Sequence, residues 1–270
     1  MESVQKLTHI EHILKRPDSY VGPVDLNVEP YWVLNSNKSQ FEKKNLKYSP
    51  ALLKIFDEIL VNAIDRNSMH PKNVTSISVD IDKESGAVTI ENNGPLGGIG
   101  VRMHEKEGLW NPELTFGHLL TSTNYDDSQK RIVGGRNGYG AKLTNIYSSD
   151  FSIVIKDHEN KQTYTQKWSK NMTICEPPKI KKHSGATSSV SVTFVPDWRR
   201  FGLSKMENAI YKIFQKRVWD ANICTTPNCK VKFNGDVLPK QNLDTYAKMH
   251  EGVENVTSVT GDRWSVCIGP

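Results

Sequence analysis

Apolar positions recur with a helical period over residues 52–65. On a wheel of about 100° per residue, one side of this segment is a continuous apolar stripe of Leu52, Phe56, Ile59 and Ala63. Ser49-Pro50 precedes it as an N-cap and a first-turn proline, and His70-Pro71 follows it. The pattern predicts an amphipathic helix from Pro50 to about Ser68.

A period of two marks the strands. Apolar and polar residues alternate at 77–81 and 88–90 on either side of a turn at 83–86, which predicts an antiparallel hairpin. Further strands are predicted at residues 151–155, 163–168, 189–195 and 231–233. Asn234-Gly235, after the last of them, is typical of a hairpin turn.

Two more helices complete the predicted elements. Asn111-Pro112-Glu113 has the composition of a helix start, and Ser204 is the predicted N-cap of a long helix that ends near Asn222. Helices and mainly antiparallel strands in separate blocks indicate an α+β fold rather than a βαβ parallel sheet. Residues 257–270 are assigned to a new element, because 263–268 has the pattern of a strand cut off at its end. The chain is therefore predicted to be part of something longer.

Composition and charge narrow the function classes. The longest apolar runs are far too short to cross a bilayer, and the N-terminus lacks the apolar core of a signal peptide, so no membrane partner is expected. The four cysteines are scattered without metal-site spacing and are predicted to be reduced thiols of an intracellular protein. The formal net charge of +5 suits an anionic partner such as nucleic acid or nucleotide. A basic solvated surface explains it equally well, and charge alone does not decide.

Candidate chemistry begins with the glycine-rich segment Gly134–Lys142. Its glycines precede a helix-compatible run, an arrangement whose backbone N–H groups bind phosphate, and Arg136 and Lys142 add positive charge. The spacing is not G-x-G-x-x-G, and no P-loop Gly-Lys-Ser/Thr follows. The segment predicts a phosphate site of another architecture.

A second candidate lies on the helix at residues 50–68. Glu58, Asn62 and Asp65, spaced i, i+4, i+7, form a polar stripe that borders the apolar one. A carboxylate and an amide in this position suit Mg²⁺, which prefers oxygen ligands, and a water that a glutamate deprotonates. The same stripe is also what the outer face of any amphipathic helix presents, and the helix alone favours that plainer interpretation.

Three motifs taken together favour the functional interpretation of this helix over the plainer one. The helix with Glu58 and Asn62, the loop at Asn92-Asn93-Gly94 and the glycine-rich segment occur in an order that resembles the GHKL (Bergerat) ATPases, such as gyrase, Hsp90, MutL and histidine kinases. Three segments are more specifically similar to the ATPase region of the eukaryotic-type (type IIA) DNA topoisomerase II family: residues 54–63, 119–127 and 134–142. Motifs at 11–20 and 263–267 extend the resemblance over almost the whole chain.

The resemblance implies a fold and a set of residue roles. The fold is a GHKL two-layer sandwich over residues 1–256, with a mainly antiparallel sheet covered by helices on one face, followed by the truncated first strand of a transducer domain over 257–270. Glu58 matches the general base that activates the hydrolytic water, Asn62 the Mg²⁺ ligand, and Asn92 the residue that reads the adenine amino group. The positions that match ribose and phosphate contacts are Ser122, Thr123 and Asn124. Those that match the ATP lid are Gly135, Arg136, Asn137, Gly138, Tyr139, Gly140, Ala141 and Lys142.

The implied function is that of an ATP-operated gate that uses ATP and Mg²⁺. ATP binding would close a homodimer around double-stranded DNA and power passage of one duplex through another, together with the transducer and the cleavage core. Because the cleavage tyrosine and the phosphate-sensing lysine of relatives belong to those other domains, the present chain alone is expected to be weakly active or inactive. The implied location is the nucleus for a cellular eukaryote, and the host cell or virion for a virus.

Some positions depart from the family pattern. The loop Gly94–Gly100 is two residues longer than usual and lacks the proline of Gly-Ile-Pro, so the resemblance does not predict which residues form the wall of the adenine pocket. Arg66 stands where relatives often carry Asn, which adds a charge near the phosphates. Val4 occupies the neighbourhood of an arm that relatives exchange between subunits, so arm exchange is expected to be reduced or absent.

Plainer interpretations stay open for single residues and for the function. Tyr139 is as readily a packing residue as a nucleotide contact. Asp65 is favoured as structural rather than as a ligand, and His118 as a packing or surface residue. The alternative functions are an ATP-operated clamp without DNA transport and a non-enzymatic nucleic-acid-binding module.

Overall fold

A mixed sheet forms the centre of the computed structural model, which describes residues 4–37, 39–94, 99–121, 138–262 and 264–269. Within these ranges the strands are β1 (Asn27–Leu34), β2 (Phe41–Tyr48), β3 (Ser76–Ile81), β4 (Val88–Gly94), β5 (Ser148–Asp157), β6 (Gln162–Ser169), β7 (Ile174–Cys175), β8 (Lys179–Lys182), β9 (Ser188–Pro196), β10 (Lys230–Phe233), β11 (Asp236–Val237), β12 (Thr257–Thr260) and β13 (Ser265–Ile268). The helices are α1 (His9–Lys15), α2 (Pro50–Met69), α3 (Asn111–Gly117), α4 (Gly140–Ile146), α5 (Asn208–Cys224) and α6 (Leu243–Ala247).

The central sheet has the strand order β11-β10-β3-β4-β9-β5-β6-β7, and β8 also pairs with β6. Its described strand pairs are antiparallel except β10 with β3, which is parallel. The parallel pair follows from the connection, since β10 comes directly after the long helix α5. The predicted α+β class and the antiparallel-dominated sheet are confirmed.

Alternation along the strands separates two faces of this sheet. One face carries buried apolar side chains, such as Val88 and Ile90 on β4 and Ile153 on β5, and packs against α2, α4 and α5. Phe56 on α2 stacks on Phe214 of α5 with ring centroids 4.0 Å apart, inside the layer of helices. The other face carries half-exposed hydroxyl and charged residues. This two-layer arrangement packs α2 on the inner face of β4.

The sequence patterns missed some elements and misplaced two boundaries. Asn92-Asn93-Gly94, predicted as a loop, is the end of strand β4, where it pairs with β3 and β9. The hairpin of β1 and β2 was not predicted, because residues 27–31 and 42–47 are mainly exposed or half-exposed and lack a clean alternation of buried residues. The predicted cap Ser204 is wrong: α5 begins four residues later, at Asn208. Leu203 and Met206 are buried there, so tertiary packing holds this segment outside the helix. The start of α3 is close to the prediction, with Asn111 as the first helical residue rather than its cap.

The C-terminal segment forms a separate small sheet. β12 and β13 pair with each other over residues 257–268 and do not join the central sheet. The sequence predicted one strand at the end of this segment, and the structure adds its partner β12. Val259, Trp264, Val266 and Ile268 are all about half exposed or more, so the hairpin has an uncovered apolar surface.

Candidate functional site

The polar stripe of α2 is built as the helical period predicts. Ser49 caps the helix through Oγ, which accepts from Leu52 N at 3.3 Å, and the apolar stripe of the helix is buried. The Glu58 side chain is 20% exposed and accepts from the Lys54 ammonium, with Oε1 and Nζ 2.5 Å apart. Asn62, one turn later, is exposed. The stripe therefore offers a carboxylate and an amide at the edge of the core.

The glycine-rich segment meets this stripe at the start of α4. Thr144 Oγ1 donates to the Ile55 carbonyl at 2.8 Å, which ties α4 to α2. At Gly140 a Cβ would overlap the carboxylate oxygen Oε2 of Glu58. The Glu58 carboxylate thus lies against the backbone of Gly140, in space that a side chain at position 140 would fill. This contact joins the two motifs that the sequence could only place in order.

Lys142 is almost completely buried, with 2% of its surface exposed. Its Nζ donates to the Thr121 and Gly138 carbonyls, both at 2.6 Å. Burial lowers the pKa of this ammonium from its usual value near 10.5 to about 8. Thr121 and Gly138 are the described residues on either side of residues 122–137, so one ammonium links both flanks of that segment.

Asn92 and Asn93 point to opposite faces of β4. Asn92 lies between Ile77 and Val190 in the register and is 6% exposed, on the helix-covered face. Asn93 Oδ1 accepts from Ser76 Oγ at 2.7 Å on the other face. Because α2 packs on β4, the amide of Asn92 faces the helix layer that carries Glu58. Once Asn92 and Asn93 belong to a strand, its period of two puts their side chains on opposite faces.

An aromatic contact connects the N-terminal segment to the glycine-rich one. Tyr139 is half-buried, and its ring centroid lies 6.4 Å from that of Tyr20. His12 Nδ1 and Tyr20 Oη are hydrogen-bonded at 3.0 Å. Sequence reasoning used His12 and Tyr20 only as parts of a motif and did not place them beside Tyr139. His12 and Tyr20 both belong to the motif at residues 11–20, and this shared motif was the feature of the sequence that could have indicated the contact.

A network of ion pairs braces the other side of α2. Arg217 Nη2 donates to Asp57 Oδ1 at 2.8 Å, and its Nη1 donates to Asp220 Oδ2 at 3.1 Å. The two carboxylates raise the pKa of Arg217, although burial acts against them. Asp220 also accepts from the buried Lys216 and from Tyr246. Asp57 directly precedes Glu58, so this network holds the turn of α2 that carries Glu58. Sequence reasoning missed it, because Asp57 and Arg217 are 160 residues apart.

Some of the other site residues predicted from the sequence lie in the described ranges, and others do not. Ala141 is buried beside Lys142, and Gly138 is half-buried. Asp65 is half-buried and interacts with a neighbour. His118 lies just after α3, and its Nε2 is 3.6 Å from Glu113 Oε1. The candidates that lie outside the described residues are Ser122, Thr123, Asn124, Gly135, Arg136 and Asn137.

The described ranges contain neither a metal-binding cluster nor a membrane-spanning helix. There, no group of three or more His, Cys, Asp or Glu residues is placed to hold a metal ion, and the four cysteines are free thiols. In the same ranges no helix has the length and apolar content needed to cross a bilayer. Among the described residues, a divalent cation at the α2 stripe would have the amide oxygen of Asn62 as a ligand, with further oxygens from outside the described ranges.

Two curated relatives of this chain have the same name. No family model matches the chain. The chain is 45% identical over 249 residues to "DNA topoisomerase 2" of Penicillium chrysogenum and 42% identical over 249 residues to that of Saccharomyces cerevisiae, in each case over 92% of this chain. It spans only 15% and 17%, respectively, of the length of these two relatives.

Solved structures agree with these relatives. The crystal structure of the ATPase region of Saccharomyces cerevisiae topoisomerase II superposes with a TM-score of 0.93 at 40% identity, over 98% of this chain and 70% of that one. The ATPase and transducer domains of DNA topoisomerase II from Balamuthia mandrillaris superpose with a TM-score of 0.92 at 38% identity, over 99% of this chain and 68% of that one.

Proposed function

Because this chain belongs to the DNA topoisomerase II family and corresponds to its ATPase region, we propose that it binds and hydrolyses ATP as the gate of such an enzyme. The observation that carries the proposal is the contact between the Glu58 carboxylate and the Gly140 backbone. It brings the one candidate general base of the stripe to the segment predicted to bind phosphate. A solvated helix face would not need that approach.

The chain's own residues have separate tasks in this proposal. Glu58 accepts a proton from the attacking water, and Lys54, which is paired with it, orients the carboxylate. Lys142 supplies positive charge to the triphosphate, in exchange for its present carbonyl partners. Asn92 presents an amide to the adenine edge from the floor of the site. The backbone of residues 138–140 approaches phosphate closely because residues 138 and 140 lack side chains.

A magnesium ion fits this donor set. Mg²⁺ usually takes one or two protein oxygens and completes its octahedron with phosphate and water, and the exposed amide of Asn62 is one such oxygen. When bound, the ion neutralises charge on the phosphate oxygens. The amide oxygen of Asn62 would hold it, one helical turn from Glu58.

The wider role follows from the family. ATP binding closes two copies of the chain into a gate, which captures a DNA duplex for passage by the remaining domains in a nuclear enzyme. Residues 1–256 form the ATPase unit, and residues 257–270 begin the transducer. The separate β12–β13 sheet, with its uncovered apolar side chains, supports this division.

Calorimetric titration of the 270-residue chain with a non-hydrolysable ATP analogue and Mg²⁺ tests the proposal. We expect saturable binding of one nucleotide per chain, and a shift from monomer to dimer in sedimentation velocity when the analogue is present. We expect turnover by this chain to be slow but measurable as single-turnover phosphate release, and nucleotide binding without any hydrolysis would overturn the hydrolytic part of the proposal. Absence of nucleotide binding would overturn it.

Gly140→Ala tests the contact that carries the proposal. The new Cβ would collide with the far end of the flexible Glu58 side chain, so the carboxylate moves and the fold does not. We expect phosphate release from bound ATP to slow by about 100-fold, as for a displaced catalytic group. The free energy of unfolding should change by less than about 1 kcal/mol, since alanine suits a helix.

A double-mutant cycle separates this effect from general damage. If Gly140→Ala acts through Glu58, adding it to Glu58→Gln should slow hydrolysis no further. Independent losses that multiply in the double variant would show that the contact with Glu58 is not the cause.

The Lys142 ammonium predicts a pH dependence of nucleotide affinity. In the free chain its pKa is about 8, and a bound triphosphate raises that pKa because it favours the charged form. Above pH 8 the free chain has lost a proton that the complex retains, so binding takes up a proton. We expect the affinity for the ATP analogue to fall by up to about tenfold per pH unit above 8, and to be unaffected by this group below it.

Calorimetry in buffers of different ionisation enthalpy measures the proton uptake directly. The control is Lys142→Met, which should bind weakly and show no such dependence. Affinity of the unsubstituted chain that stays constant from pH 7 to 9.5 would contradict the assigned role of Lys142.

A further inference from the structure

The outer face of the central sheet, opposite the helices, carries lysines from three neighbouring strands. Thr163 on β6 is directly opposite Lys156 on β5 and Lys181 on β8. Directly opposed residues point to the same side of a sheet, and so do residues two apart on one strand. Four exposed lysines therefore share this side, and together they are called the basic face: Lys156, Lys167, Lys179 and Lys181.

Sheet geometry fixes the scale of the basic face. Strands lie about 4.8 Å apart and alternate residues about 6.8 Å apart, so the four lysine Cα atoms lie within about 20 Å of one another. Between them stand the half-exposed hydroxyl residues Thr163, Thr165 and Ser152. The surface thus combines ammonium groups with hydroxyl donors on an open sheet.

Three nearby acids offset part of this charge. Within the described ranges none of the four lysines forms an ion pair. Glu91 lies on the same side but two strands from β5, and Asp150 is two residues from Ser152, the residue directly opposite Lys167. Glu176 follows β7, where its backbone N–H donates to the Lys167 carbonyl. The face is net positive with these acids included.

We propose that the basic face is a docking surface for the phosphate backbone of duplex DNA. The choice of DNA as occupant rests on the proposed function, and the charge, the hydroxyl donors and the open shape suit a polyanion held by its phosphates. A duplex on this face would lie on the side of the sheet away from the nucleotide site.

Protection of a sheet edge is the competing explanation for exposed lysines. Lysines on an edge strand prevent pairing with another sheet, and this would account for Lys179 and Lys181 on β8. It does not account for Lys156 and Lys167, because β5 and β6 have partners on both sides. Because Lys156 and Lys167 lie on inner strands, where an edge needs no protection, they favour a surface that binds a partner.

The test is a comparison of two fourfold variants of the 270-residue chain. The first changes the basic face to glutamine: Lys156→Gln, Lys167→Gln, Lys179→Gln and Lys181→Gln. The control changes four exposed lysines elsewhere: Lys47→Gln, Lys72→Gln, Lys106→Gln and Lys205→Gln. Both lower the formal net charge from +5 to +1, since each removes four positive charges. Binding of a 20-base-pair duplex is measured by fluorescence anisotropy over a range of salt concentrations.

We expect the basic-face variant to bind duplex at least tenfold more weakly at about 0.1 M salt, and the control variant to lose less than threefold. The slope of log affinity against log salt should become shallower by about 0.9 for each phosphate contact that is removed. We expect the four substitutions to remove about two to four such contacts. Poly-glutamate should displace the duplex only in large excess. Equal losses in both variants, no loss in either, or displacement by poly-glutamate at matched charge would overturn the proposal.

ATP binding provides a separate readout. Both variants should bind the ATP analogue as the unsubstituted chain does, because none of the eight lysines belongs to the nucleotide site. If the analogue binds and both variants lose the same amount of duplex affinity, the DNA-docking proposal is overturned and the proposed function is kept. If the analogue does not bind but the basic-face variant still loses more duplex affinity than the control variant, the proposed function is overturned and the DNA-docking proposal is kept.

Discussion

Replacing Glu58 by glutamine is expected to slow ATP hydrolysis by about 100- to 10,000-fold and to leave ATP binding within about threefold of the unsubstituted chain. Glutamine keeps the shape and the contact with Gly140 but cannot accept the proton of the attacking water. The loss should therefore fall on the chemical step rather than on affinity.

The measurement must suit a slow enzyme. Radiolabelled phosphate release over hours, with chain in excess over ATP, detects single turnovers, and calorimetry measures analogue binding separately. The matched control is Glu107→Gln, which removes an exposed carboxylate from a loop and should leave both quantities unchanged. A Glu58→Gln variant that hydrolyses ATP at the original rate would remove Glu58 as the base.

Replacing Gly94 by alanine is expected to lower the free energy of unfolding by about 3–5 kcal/mol, the largest stability effect predicted for this chain. Gly94 ends β4 with φ +151°, a conformation that side chains rarely adopt. An added Cβ would also overlap the Asn73 carbonyl, and that obstacle is backbone rather than a movable side chain. The strand end that carries Asn92 would have to shift.

Urea denaturation followed by circular dichroism measures this loss. Gly108→Ala is the control, because Gly108 also has a positive φ, +65°, but has open space where a Cβ would stand. It should cost only about 1 kcal/mol, the penalty of the backbone conformation alone. Similar losses for the two variants would show that the close approach to Asn73 does not matter.

Local periodicity predicted the elements that combine a clear pattern with a clear boundary. The helix α2 runs from Pro50 to Met69 with a bonded Ser49 cap, as expected, because its stripe, cap and stop signals agree. The alternation at 88–90 predicted β4, but the strand continues to Gly94 through Asn92 and Asn93, which were predicted as a loop. The start of α5 was wrong, since burial of Leu203 and Met206 outweighed the local preference of Ser204 for a cap.

The sequence by itself determined the residue types of the candidate site, their order and their family, because motifs are local and survive without coordinates. The tertiary structure alone decided which of them meet: Glu58 against Gly140, Lys142 between Thr121 and Gly138, and Asp57 with Arg217. It also decided that lysines from β5, β6 and β8 share one face. These contacts join residues far apart in the chain, and their geometry depends on how the sheet and helices pack, which no local pattern encodes.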